Sequence, residues 1–149
     1  MARLVLRAAA AEALRLWPSA EFVCGGQRGV DMWAADAARD ITRFHLVLPA
    51  SLESFTADWS EADRANLKGL ASIAASVAVT HSSVQAGLLA YDLRNEEVAR
   101  RSDLLVAVWT GLRKGGTFFT IADARQLGRP VLERVLRANP TAELSGRGV

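Results

Sequence analysis

The chain has 149 residues, half of them hydrophobic and 23% charged, with a formal net charge of +2. That length suits one domain with a real core, and the balance is that of a globular chain, not a disordered one. No apolar run reaches membrane-spanning length, and the single cysteine excludes an internal disulfide and a cysteine-rich zinc site.

The sequence pI is about 9.2, yet Arg134, Arg137 and Arg147 sit at or near the C-terminal tail. The body is therefore close to neutral, which argues against a large nucleic-acid footprint. The N-terminus carries arginines without a clean apolar segment and cleavage site, so no signal peptide is read and the expected compartment is the cytoplasm.

Met1 to Trp17 reads as a helix. Leu6, Ala9, Ala10, Ala13, Leu14 and Trp17 form its apolar stripe, and Pro18 and Ser19 stop it. The lesser alternative, a strand at Leu4 to Leu6, has no turn signal after it. Phe22 to Cys24 reads as a short buried strand, which makes the Cys24 thiol an inert core group. Gly25 and Gly26 end that strand, and Gln27, Arg28 and Gly29 make a tight loop. From Val30 a helix is expected to about Asp40, with Val30, Trp33, Ala34, Ala37, Ala38 and Ile41 on its inner face.

Phe44 to Leu48 is the next strand, closed by Pro49, with His45 in a structural role. Thr56 or Ser60 caps a helix to about Ala74, with Trp59, Leu67, Leu70 and Ile73 as its core contacts. Val77 to Thr80 is a short strand. His81, Ser82 and Ser83 follow as a loop whose hydroxyls suit a helix cap better than a ligand contact. Val84 to Arg101 reads as a helix, with Glu96–Arg100 and Glu97–Arg101 as solvated i,i+4 pairs. That pairing leaves Arg94 and Asn95 unexplained. Leu104 to Trp109 is the most hydrophobic strand and is placed centrally. A helix from about Phe118 to Leu127 ends on Gly128, and Val131 to about Glu133 is the last strand. Residues 1–137 thus make one domain, and residues 138–149 a flexible tail.

Alternating strands and helices call for a parallel sheet covered on both faces, and such sheets bind ligands beyond the carboxyl ends of their strands. Two glycine-bearing strand-to-helix loops fall at that edge. The first holds Gly25, Gly26, Arg28 and Gly29; the second is Gly115-Gly116-Thr117. Each opens a helix whose first N–H groups face an anion, and glycine lets the backbone approach it. Arg28, Arg113 and Lys114 add positive charge in or beside them. The pair of loops predicts a phosphate-bearing ligand. Trp109 is a candidate base-stacking residue, although a tryptophan in a strand belongs more often to the core.

The same residues carry a resemblance. Gly25-Gly-Gln-Arg-Gly-Val-Asp31, then Arg94-Asn95, then Ser102-Asp103 before a strand, then Gly115-Gly-Thr117 before a helix, resemble the SLOG superfamily in that order, and its YpsA-like branch in particular. The resemblance covers roughly Phe22 to Glu133. It implies a Rossmann-like, three-layer α/β/α fold with a mostly parallel sheet. It also implies a homodimer that binds a nucleotide or nucleotide-derived ligand, such as ADP-ribose or NAD, as a sensor or carrier domain. No other cofactor, no metal and no membrane partner is expected. Gly25, Gly26, Gly29, Gly115, Gly116 and Thr117 would cradle phosphate and Arg28 would pair with it. Asp31 would cap its helix or bond a ribose hydroxyl, with capping preferred. Arg94 and Asn95 would reach in from the preceding helix.

Two departures bear on that expectation. Members of the superfamily begin with a central strand, whereas this chain begins in the helix after it. A sheet without its usual first strand is therefore expected, with three resolutions open: residues before Ala8 pair after all, the sheet closes around the gap, or another segment fills it. The preferred one is a shortened chain with an otherwise ordinary fold. Second, the superfamily's Lonely-guy phosphoribohydrolases resemble Pro-Gly-Gly-x-Gly-Thr-x-x-Glu at the second loop. Here Lys114 stands for the proline, and the glutamate falls on Thr120. A nucleotide N-glycoside hydrolase is thus the alternative that lacks its carboxylate, Asp123 being a turn too far along. The DNA-processing protein A family shows a similar Gly-x-Arg-Gly-x-Asp loop and Arg-Asn before a Ser-Asp strand, which makes single-stranded DNA the other alternative, kept open by Arg3, Arg7, Arg15 and Arg28.

Overall fold

The structure is a computed structural model and describes residues 1–81 and 87–136. In chain order the elements are α1 (Ala2–Leu16), β1 (Phe22–Cys24), α2 (Val30–Ala38), β2 (Phe44–Leu48), α3 (Leu52–Phe55), α4 (Glu61–Ile73), β3 (Ser76–Val79), α5 (Leu88–Arg101), β4 (Leu105–Trp109), α6 (Gly116–Gln126) and β5 (Val131–Val135). All strand pairs among the described residues are parallel. The helices interleave with the strands in the α/β/α manner of a Rossmann-like fold. On one side α1 packs on α2; on the other α5 packs on α6.

The sheet is split. β1, β2 and β3 pair in that order, and β4 pairs with β5, but β1 and β4 do not pair with each other. The expected absence of a first strand is thus visible as a break. Residues 3–7 are helical, so the strand alternative at Leu4 to Leu6 is wrong, and the sheet does not close around the gap. β4 was expected to be central. It is bonded on one side only, by β5, because no strand lies on its other side among the described residues.

The larger core lies between β1–β2 and helices α2 and α4. Met32, Ala35 and Ala38 from α2, Phe44, Leu46 and Leu48 from β2, and Leu67 and Leu70 from α4 are all buried there. Phe55 packs edge-on to Trp59 with ring centroids 4.9 Å apart. Gly26 sits beneath this cluster with φ +72, and a Cβ there would stand 2.6 Å from Leu48 Cδ2. Both the backbone conformation and the space demand glycine. A smaller core joins Leu105 and Ala107 of β4 to Ile121 and Ala124 of α6 and Ala99 of α5.

Several inward faces differ from their sequence expectation. Trp17 lies past the end of α1 and is half exposed. In α2 the buried residues are Met32, Ala35, Ala37 and Ala38, while Ile41 is exposed beyond the helix end. The alanine-rich segment offered several equivalent stripes, and contact with two neighbours, the sheet and α1, selected among them. Ile73 is exposed because α4 ends there. The short helix α3 was not foreseen; Ser51 caps it by accepting from Ser54 N at 3.2 Å. Ser60 caps α4 as expected, accepting from Asp63 N at 3.1 Å.

His45 bridges strands, with Nδ1 2.8 Å from Ser76 Oγ and Nε2 2.5 Å from Glu21 Oε2, the structural role expected of it. Glu97, not Glu96, holds Arg100, through oxygens at 2.7 and 2.8 Å, and it also accepts from Arg101 Nε at 2.5 Å. Those hydrogen bonds, Arg101's foremost, hold the Glu97 carboxyl below its usual range. Val84, the Ser82–Ser83 loop and residues 138–149 lie outside the described residues. Among the described residues no helix is long and apolar enough to cross a membrane.

Phe55 is 2% exposed and touches both Trp59 and Tyr91. Phe55→Ala should cost about 3–5 kcal/mol through lost transfer energy and an unfilled cavity. Urea unfolding should show a lower midpoint at an unchanged slope.

Candidate functional site

Gly25 follows β1 at once, and its carbonyl is the first one beyond the strand. It accepts a hydrogen bond from Arg94 Nη1 at 2.5 Å. Arg94 comes from the middle of α5, 69 residues away, and its side chain is 7% exposed. Its Nε donates to Asn95 Oδ1 at 2.9 Å, and its Nη1 lies 3.6 Å from Asp31 Oδ2. Tyr91, one turn earlier on α5, puts its ring 5.8 Å from the guanidinium carbon. A buried guanidinium needs this many partners to offset its lost hydration.

Asp31 does not cap α2, contrary to the preferred expectation. Gly29 occupies the N-cap position with φ +91, and Asp31, in the first turn, folds back to accept from Gln27 N at 3.3 Å. The carboxylate thus holds the glycine loop closed and faces Arg94. Its charge and burial together push the neighbouring Cys24 thiol far above its ordinary range, burial contributing most.

A cleft of about 330 Å³ opens at this point. Its mouth is polar and brings together Gly25, Arg28, Asp31, Arg94, Asn95, Gly116 and Thr117. Seven of the ten expected site residues therefore share one cavity, although they come from three separate stretches of chain. Gly26, Gly29 and Gly115 do not line it. Gly26 faces the core, and Gly29 and Gly115 are the N-caps of α2 and α6, where positive φ turns the chain into the helix. Arg113 and Lys114 are exposed and outside the lining.

Arg28 is exposed at the rim, its guanidinium carbon 5.0 Å from the centre of the Trp59 ring. That stacking holds the side chain near the mouth and leaves its charge outward. Trp109 is not a free stacking surface. Its Nε1 donates to Glu133 at 3.2 Å and its ring stacks on Phe118 at 6.5 Å.

Two hydrogen-bonding side chains of the lining, Gln27 and Thr120, were not among the expected site residues. Gln27 lines the mouth, and its buried Oε1 has no hydrogen-bond partner among the described residues. Its place between the Gly25-Gly26 pair and Gly29 was the only signal available. Thr120 also lines the cleft and donates its hydroxyl to Gly116 O at 2.9 Å, one turn along α6. Asp123 turns instead toward α5, where burial, Glu96 and Asp92 raise its carboxyl above the usual range. Asp31 is the single carboxylate lining the cleft among the described residues. No group of three or more His, Cys, Asp or Glu is placed to hold a metal among them.

No protein-family model and no curated protein matches this chain.

A methyl group at Gly25 would overlap the Arg94 guanidinium and stand 2.6 Å from Asp31 Oδ2. Gly25→Ala should therefore cost about 1–3 kcal/mol of stability. Gly116→Ala is the control: its Cβ would sit an ordinary 3.8 Å from Asn95 Nδ2, and its effect should stay within about 0.5 kcal/mol. Chemical unfolding of both variants separates the two cases. Cys24 should resist iodoacetamide at pH 8 in the folded protein, because the thiolate is the reactive form and burial suppresses it. Intact-mass analysis with and without denaturant measures this, and rapid labelling of the folded chain would contradict it.

Proposed function

We propose that this chain binds a phosphate-bearing nucleotide or nucleotide-derived ligand at the mouth of the cleft, as a sensor or carrier domain. The supporting observation is the meeting of the loop after β1, the Arg94–Asn95 pair and the start of α6 at one polar mouth. Two helix N-termini, of α2 and α6, contribute to that mouth, and their first-turn N–H groups and partial positive charge favour an anion. Arg94 keeps its guanidinium for the protein, bound to Gly25 and Asn95. Arg28 is the cation left to pair with a ligand phosphate.

The order of motifs that resembles the SLOG superfamily supports a nucleotide over other phosphates, and carries the homodimer with it. A hydrolytic role has less support. The position resembling the phosphoribohydrolase glutamate is Thr120, and Asp31 is already engaged by Gln27 N and Arg94. General acid–base assistance needs a carboxyl that can exchange a proton with the reacting group.

The reading is tested by thermal shift against a nucleotide panel containing ADP-ribose and NAD. A ligand of the folded state raises the midpoint by mass action. Arg28→Ala should weaken binding about tenfold while leaving the unliganded midpoint unchanged. Gly116→Val should abolish binding by filling the mouth. A panel without any shift would remove nucleotides from the proposal. Tight oligonucleotide binding that falls steeply with salt would replace them with single-stranded DNA.

A further inference from the structure

Below its polar mouth the cleft continues as an apolar slot between the two sheets. Leu6 of α1, Val23 of β1, Ala34 of α2, Val98 of α5 and Val106 and Val108 of β4 line it. β1 pairs only with β2, and β4 only with β5, among the described residues. Each strand therefore turns an edge without a strand partner toward the same slot. The two strands run in the same direction, because the segments leaving their carboxyl ends meet: Gly25 at Arg94, and Gly116 beside Asn95. Helices α1 and α2 cover one side of the slot, and α5 and α6 the other.

A buried strand edge carries N–H and C=O groups that need partners. Small apolar molecules offer none. An extended polypeptide offers both, alternately to left and right, at the spacing of a sheet. We propose that the slot is a strand acceptor, filled by an extended apolar segment that runs directly into the front of α1. Inserted parallel, that segment joins the halves into one six-stranded sheet ordered β5-β4-new-β1-β2-β3.

The position of α1 selects this donor. The C-terminal end of α1 feeds β1 through residues 17–21, so its N-terminal end lies at the carboxyl edge of the strands. A parallel strand in the slot ends at that same edge. The new strand, α1 and β1 then form a crossover with α1 on the α2 side, of the same hand as β1–α2–β2, and such crossovers are right-handed almost without exception. Helices cover both faces of the slot, so the inserted residues are apolar on both sides and β-branched by preference. β1 and β4 are three and five residues long, which sets the length of the insert. The sheet's order reverses between the new strand and β4, and the polar mouth lies just beyond that point. The inference stands on the strand edges and does not require a nucleotide.

Hydrogen exchange read by mass spectrometry tests it on three samples. The first is the chain as it stands. The second carries an N-terminal Val-Ile-Val-Val-Val segment and a short turn before α1. The third carries the same extension with prolines at alternate positions. In the first sample the amides of Val23, Gly25, Val106 and Val108, which alternate with those turned to β2 and β5, should exchange fast. The Val-rich extension should slow both sets at least tenfold and raise the unfolding midpoint in a monomer, and the proline version should do neither. A further arm adds the Val-rich strand as a free peptide to the unmodified chain, where weaker protection of both edges is expected. Protection already present in the unmodified monomer would mean that the sheets close on each other. Protection found only in a dimer would mean that a second copy fills the slot. Protection by the peptide but not by the extension would overturn the placement in front of α1. Protection of neither edge in any arm would overturn the acceptor itself.

Discussion

The arrangement depends on one hydrogen bond, from Arg94 Nη1 to the carbonyl of Gly25. It ties α5, the helix that connects the two sheets in sequence, to the end of β1. The guanidinium is buried, and close by Asn95 accepts from its Nε while Asp31 faces Nη1 as a counter-ion. Asp31 in turn holds the backbone of the Gly25–Gly29 loop through Gln27 N. Without Arg94, Gly25 O and Asn95 Oδ1 would lose their charged donor, and Asp31 would face a half-buried site alone. Removing one member of such a set costs more than a surface pair does.

The same contact commits the most buried cation of the mouth to the protein itself. Arg94 organises the loop, and Arg28, parked on Trp59 at the rim, is the outward charge. In the proposed reading the two arginines divide positioning from recognition. Glycine is required where the guanidinium approaches, because a Cβ at Gly25 would occupy its space. A methyl group at Gly116 would stand 3.8 Å from Asn95 Nδ2, so that glycine matters for access and not for packing.

The split sheet sets the other constraint. The packing of α1 beside β4 and of α5 beside β1 holds the halves together across a slot that backbone hydrogen bonding does not close. Helices alone therefore join the larger core around β2 to the smaller one around β4. Elements joined by few buried contacts open at lower free energy than a continuous sheet does. Local stability and the geometry of the mouth are consequently linked, since β1 and β4 each contribute one side of both.

Local sequence determined the elements themselves. The apolar runs at Phe22 to Cys24, Phe44 to Leu48 and Leu105 to Trp109 became parallel strands because each is short, β-branched or aromatic, and bounded by turn residues. Gly128 and Ser60 ended and began helices for reasons of φ and capping that need no tertiary partner. The two glycine loops and the Arg94–Asn95 pair were also legible, and the cleft gathers seven of those ten residues. The tertiary structure decided what each does. Arg94 became a scaffold because α5 crosses behind β1, a distance of 69 residues that no local pattern encodes. Asp31 turned back to the loop because Gly29 already held the cap position. The inner face of alanine-rich α2 was ambiguous, since its small side chains permit several stripes, and only packing against the sheet and α1 selected one. Whether β4 is central could not be read from its hydrophobicity either. Burial on two faces makes a strand apolar, whereas pairing on two edges depends on which backbone lies beside it.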